Sequence, residues 1–216
     1  MATLIPTFDL LGLYASGWFP MADGSGRILL YSPDPRGVLP LEAFRIPHGT
    51  KQCLNDPAWE IRVDTVFDEV LQGCAARKET WIDHSIATSY FALHRAGHAH
   101  SVEVWRGGTL AGGLYGVRLG AAFFGESMFH RYSGASKVAL VALVAILLSN
   151  GFSLLDTQWV TPHLAGFGAT AIPRAAYLGQ LAAAIRKTAK WPSPGTITPS
   201  DQQAIRKFAR SIRPAR

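Results

Sequence analysis

Cysteine is nearly absent from this sequence. Cys53 and Cys74 form no CxxC pair and have no histidine at metal-ligand spacing, so neither a cysteine-bound metal nor a disulfide framework is expected. Two free thiols in a reducing cytoplasm is the expectation. Long apolar runs are also lacking. The longest, Val138 to Leu148, falls well short of the ~20 residues of a membrane span. No basic residue precedes an apolar stretch at the N-terminus, so no signal peptide is expected. Charge is sparse, at 17% of 216 residues, whereas 48% are hydrophobic. That suffices for a sizeable core in one domain with a small appended lobe.

The charge present is unevenly placed. The net charge is +6 and the pI near 9.6, which invites a nucleic-acid partner. From Arg186 onward there are eight bases and one acid, Asp201, leaving 13 bases against 14 acids in residues 1–185. The body is neutral and the tail basic. A body of that balance excludes a protein that grips a long duplex along its length.

Punctuation and periodicity give an α+β chain. Asp9–Tyr14 reads as a short helix broken by Gly17-Trp18-Phe19-Pro20, and a small N-terminal lobe of residues 1–31 ends near Tyr31. Val66–Ala76 and Ile86–Ala96 have helical spacing, with Gly97 stopping the second. Ser101–Trp105 alternates as a half-buried strand, and Arg106-Gly107-Gly108 turns it. Leu110–Val117 and Ala121–Phe129 complete an antiparallel meander. Ser133 offers a cap to an almost wholly apolar helix, Ala135–Leu148, closed by Asn150-Gly151. Phe152–Gln158 reads as an inner strand, and Pro173 in a first turn opens a helix to about Lys187. Residues 32–190 thus form the main domain, with helices covering a mixed sheet, and 191–216 a basic tail. In that tail Ser200-Asp201-Gln202-Gln203 has capping-box spacing ahead of an apolar stripe, Ile205, Phe208, Ala209 and Ile212. Docking of this stripe with the bases turned outward, and a solvated, frayed terminus, are both consistent with it.

On a strand, residues i and i+2 share a face. Glu126 therefore points with Met128, and Asp156 with Gln158. A buried carboxylate needs a partner. A helix cap at Asp156 with backbone bonding at Gln158, and a reactive pair, both satisfy that need. Glu126 fits an ion pair or a ligand contact equally. His94, His98 and His100 are interrupted by Gly97 and suggest no metal site, and Ser127 lacks the second glycine of a nucleophile elbow.

Longer blocks carry more. Thr80-Trp81-Ile82, the run Leu93–Trp105, Gly112–Val117, Phe124-Gly125-Glu126-Ser127-Met128-Phe129, Ala135-Ser136-Lys137 and Asp156-Thr157-Gln158 with His163-Leu164 follow in order. With Gly17-Trp18-Phe19-Pro20 and Ser32-Pro33-Asp34-Pro35-Arg36, the chain from about Leu10 to Leu181 resembles the leucyl/phenylalanyl-tRNA–protein transferase family. The resemblance implies a large domain similar to the Gcn5-type acetyltransferase fold. It also implies a cytoplasmic enzyme of the bacterial N-degron pathway, with no cofactor, no metal and no membrane. That enzyme moves Leu or Phe, and by extension Met, from aminoacyl-tRNA to proteins with N-terminal Arg or Lys.

Residue by residue, the resemblance implies Asp156 and Gln158 as catalytic, Glu126 as the contact for the acceptor's cation, and Leu114, Met128, Leu143, Leu147 and Leu155 around the donor side chain. Trp81 and Met21 would cover the terminal adenosine, Met21 standing where some members carry a second tryptophan. Neither Asp156 nor Gln158 is apolar core, so alanine at either is expected to leave the fold intact. Two rivals stand beside this reading: an acyl-CoA-dependent N-acyltransferase of the same fold and a non-catalytic tRNA-binding module. The first needs a pyrophosphate cradle at a helix start, for which Arg131–Ser136 is the nearest match.

Overall fold

A computed structural model of the chain describes residues 4–77 and 79–212, with only the backbone of Pro199 and Ser200. The chain opens with helix α1 (Thr7–Ala15) and a hairpin of β1 (Phe19–Ala22) and β2 (Ile28–Tyr31). Strand β3 (Arg36–Val38), α2 (His48–Leu54), β4 (Trp59–Val63), α3 (Phe67–Ala75) and α4 (His84–Arg95) follow. Then come the meander β5 (Ala99–Arg106), β6 (Thr109–Leu119) and β7 (Ala122–His130), and helix α5 (Ala135–Ser149). Strand β8 (Leu154–Gln158), α6 (Pro162–Gly166), β9 (Thr170–Ile172), α7 (Arg174–Ile185), β10 (Gly195–Thr196) and α8 (Pro199–Ser211) complete it.

The α+β reading holds. One eight-stranded sheet runs β10-β4-β5-β6-β7-β8-β3-β9, antiparallel throughout except where β8 lies parallel to β7. A core covers each face. On one, α5 packs with α2 and α8; on the other lie α1, α3, α4 and α7. Two-sided burial corrects the half-buried expectation for β5, whose residues Ala99–Val104 are all buried. It also explains why α5 is apolar nearly all round: Val138 through Leu147 are buried without exception. Among the described residues no helix is long and apolar enough to cross a membrane.

Helix ends depart from the expected caps in three places. α5 starts from Gly134, in the left-handed region at φ +87° with no side-chain cap, so Ser133 is not its cap. A side chain at Gly134 would strike Cys53 of α2, its Cβ 2.6 Å from the sulfur. Pro173 is the N-cap of α7 rather than a first-turn residue. The tail helix begins earlier than Ser200: Thr198 caps it, its hydroxyl accepting from the Asp201 N–H at 3.2 Å. The tail stripe is docked. Ile205 and Ala209 are buried, and Phe208 and Ile212 pack against the same core. Arg213 and Arg216 lie outside the described residues.

Candidate active site

Strands β7 and β8 pair only at Ala122–Leu154, Phe123–Leu155 and Phe124–Asp156. Beyond Phe124 they part, β7 staying with β6 and β8 with β3. The gap is a cavity of about 320 Å³, within the range of small-molecule sites. Leu114, Met128, Leu143 and Leu155, which the resemblance implies around the donor side chain, line it together with Leu140. Leu147 does not. It lies one helical turn beyond Leu143, fully buried in the core, and Leu140, one turn earlier, faces the gap instead. Met21 and Trp81 also line the cavity, held side by side by the Ala22 N–H donating to the Trp81 carbonyl at 3.1 Å.

Asp156 ends the part of β8 that pairs with β7 and is wholly buried. Its carboxylate meets Arg36 through two bonds, Nε to Oδ1 at 3.0 Å and an Nη to Oδ2 at 2.6 Å. Tyr177 donates to Oδ2 at 2.6 Å and the Gln158 backbone N–H to Oδ1 at 2.8 Å. Arg36 is itself fully buried, bonded to the Gly17 carbonyl at 2.9 Å and held between the rings of Phe19 and Tyr177. Burial opposes its charge, and the Asp156 carboxylate more than offsets this, so its pKa is raised. This arrangement corrects the expectation that Asp156 can be truncated without harm to the fold. Removing one partner of a buried pair strands the other charge.

Gln158 breaks the strand alternation. Its φ is +60°, a region that costs a non-glycine residue about 1–3 kcal/mol and that concentrates at functional sites. The bond from its N–H to Asp156 holds it there. Gly37 opposite lets β3 come close, because a Cβ there would lie 2.5 Å from the Trp159 backbone carbon. So turned, Gln158 donates its amide nitrogen to Glu126 Oε1 at 3.0 Å. Its carbonyl oxygen is the atom left for a ligand.

Glu126 also accepts from Tyr14 at 2.8 Å and Tyr90 at 2.9 Å, and the two hydroxyls sit 2.5 Å apart. Burial raises its pKa to about 7, against the hydrogen bonds from Tyr14 and Tyr90 and with the charge of Asp156. Burial also carries Tyr14 and Tyr90 well above the usual tyrosine range. The Tyr115 and Thr157 hydroxyls are buried in the cavity lining with no protein partner among the described residues. Buried polar groups ordinarily have partners, and these two stand out for that reason.

Several of these residues carry no local signal in the sequence. Arg36 lies in the turn-rich segment Ser32–Arg36, and Tyr14, Tyr90, Tyr177 and Leu140 sit at ordinary apolar positions. A buried Arg36–Asp156 pair spanning 120 positions has no local signal. The three histidines separate: His94 stacks on Phe67 at 4.2 Å, and His100 bonds Asp64 at 2.8 Å. Both cysteines are free, and burial pushes the Cys74 thiol up to about 12.

Comparison with known proteins places this geometry. Residues 38–182 match the family model described as leucyl/phenylalanyl-tRNA protein transferase, and residues 9–34 match the model of its N-terminal domain. A leucyl/phenylalanyl-tRNA–protein transferase of Nitrobacter winogradskyi is 56% identical over 182 residues, 82% of this chain and 81% of its own length. One from Phenylobacterium zucineum is 50% identical over 204 residues, 92% of each chain. One from Akkermansia muciniphila is 53% identical over 173 residues, 78% of this chain and 90% of its own. The chain is an enzyme of the leucyl/phenylalanyl-tRNA–protein transferase family.

Proposed function

We propose that the protein transfers leucine or phenylalanine, and by extension methionine, from aminoacyl-tRNA to the α-amino group of proteins that begin with Arg or Lys. The observation that carries this reading is the Asp156–Gln158–Glu126 network beside an apolar cavity. It would work in the cytoplasm. The donor ester is already activated, and an α-amine with a pKa of roughly 7.7–8.0 is partly neutral there. The enzyme then has mainly to hold amine and carbonyl together. Gln158 offers its carbonyl oxygen to the amine N–H, Asp156 fixes the Gln158 backbone, and Glu126 holds its amide group. The amine nitrogen bonds the ester carbon, the bond to the ribose oxygen breaks, and the amine proton passes to that oxygen through the vicinal hydroxyl.

An acyl-CoA donor is less well served. In the loop before α5, the N–H groups of Arg131 and Tyr132 already donate to the Ala111 carbonyl, and Cys53 covers Gly134. Neither of those two N–H groups is free for a pyrophosphate. The test is direct: incubate the protein with an Arg-starting peptide and either leucyl-tRNA or acetyl-CoA. Leucine transfer is expected from the first alone; acetylation or no transfer would sink the proposal.

Two residues divide the substrates. Trp81 would stack on the terminal adenine, a contact worth about 1–3 kcal/mol. Trp81→Ala is expected to raise the constant for charged tRNA roughly ten-fold or more. An unchanged constant with a lower Tm would make Trp81 purely structural.

Glu126 accepts three bonds, leaving room on Oε2 for the cation of an acceptor Arg or Lys. Glu126→Gln is expected to raise the peptide KM about ten-fold, the lower range for a charge-assisted bond, with the tRNA constant unmoved. Its pKa near 7 means that Glu126 is neutral below that pH and charged above it. Parental peptide KM should therefore fall between about pH 6 and 8, beyond what the amine's own titration produces in the variant. Equal weakening of tRNA binding would assign Glu126 to the donor side.

A further inference from the structure

We propose that α8 is a docked, phosphate-binding helix that grips the backbone of the donor tRNA beside the cavity. This rests on the reading of the cavity as a donor site. It concerns a part of the chain outside the matched family region, which ends at residue 182.

A body with 13 bases against 14 acids has little to offer a polyanion, and the surplus lies in the tail. Of the bases in α8, Lys207 and Arg210 are exposed and Arg206 is partly so. Among the described residues none of the three joins an ion pair. They share one shallow surface with Gln203 and Ala204, opposite the buried Ile205 and Ala209.

A grip needs a fixed frame, and α8 has one. Trp191, at the head of the linker to α8, donates to Asp64 Oδ2 at 2.9 Å and stacks between His100 at 4.6 Å and Phe123 at 5.3 Å. Arg118 bonds the Ala189 carbonyl at 3.1 Å, and β10 pairs with β4. At the far end, Lys51 of α2 bonds the Ile212 carbonyl at 2.6 Å.

Phe208 of α8 stacks on Phe44 at 6.3 Å, Phe44 on Phe167 at 5.7 Å, and Phe167 meets His163 at 5.3 Å. His163 lines the cavity. Burial, with the Lys137 charge nearby, holds its pKa down. Three ring contacts thus connect the cavity wall to α8.

The experiment uses the full chain with Arg206, Lys207 and Arg210 all changed to Gln. Leucyl-tRNA affinity is measured from about 50 to 200 mM salt, where phosphate contacts give a slope of roughly 0.7–0.9 per contact. The variant is expected to bind more than ten-fold more weakly at the low end, with a slope flatter by about two units for three lost contacts. Transfer from leucyl-adenosine ester, which has no phosphate backbone, should stay at the parental rate. Changing Arg206 and Arg210 to Lys, which keeps the charge, should preserve the slope. Parallel lines of equal affinity, or weaker binding without a slope change, would overturn the assignment of α8. Failure of the parental protein to use leucyl-adenosine or leucyl-tRNA would instead count against the donor site itself.

Discussion

Asp156→Ala is expected to abolish detectable transfer and to cost about 3–5 kcal/mol of stability, the scale for breaking one side of a buried ion pair. Asp156 has no exposed surface, and neither does its partner Arg36. Without the carboxylate, the guanidinium keeps only the Gly17 carbonyl and two ring faces. Tyr177 loses its acceptor, and the Gln158 N–H loses the bond that holds its left-handed backbone. Chemical denaturation and a transfer assay on the same sample would check both effects. A parental midpoint would show that water or a shifted Arg36 replaces the carboxylate; parental transfer would remove Asp156 from the mechanism.

Gln158→Ala separates chemistry from folding. The backbone bond to Asp156 needs no Gln158 side chain, so the frame survives, and only the amide bond to Glu126 is lost, a change of about 1 kcal/mol. Transfer should nevertheless fall about 10²-fold or more, the scale of a positioned acid–base group. The loss should lie in kcat with the tRNA constant unmoved, since the amide acts on the attacking amine. Parental kcat in this variant would end the case for the Asp156–Gln158 pair.

The long, periodic elements were legible in the sequence because their periodicity is local. The meander β5–β7, the apolar α5 and the glycine stops at Gly97 and Gly151 are written within a few residues of where they act. The short strands β3, β9 and β10 are not: two or three residues become strand only because a neighbour is present to pair with them. Strand β4, Trp59-Glu60-Ile61-Arg62-Val63, does alternate, and its burial follows that alternation. At the site, Asp156, Gln158 and Glu126 could be singled out, but not the +60° backbone that brings Gln158 to Glu126. The exchange of Leu147 for Leu140 is a matter of helix phase and of where along α5 the gap between strands opens. Sequence spacing gives the phase but not that position.

Arg36 has a consequence for how the protein comes into being. It links a carbonyl at Gly17, a carboxylate at Asp156 and a ring at Tyr177, so the site has no local precursor. During synthesis the guanidinium emerges well over a hundred residues before its counter-charge, and it must wait in solvent while the meander forms. Such long-range closure is the slow kind of folding step. Enzymatic competence should therefore arrive late and in one event, together with the last tertiary contacts, and be lost with them on unfolding.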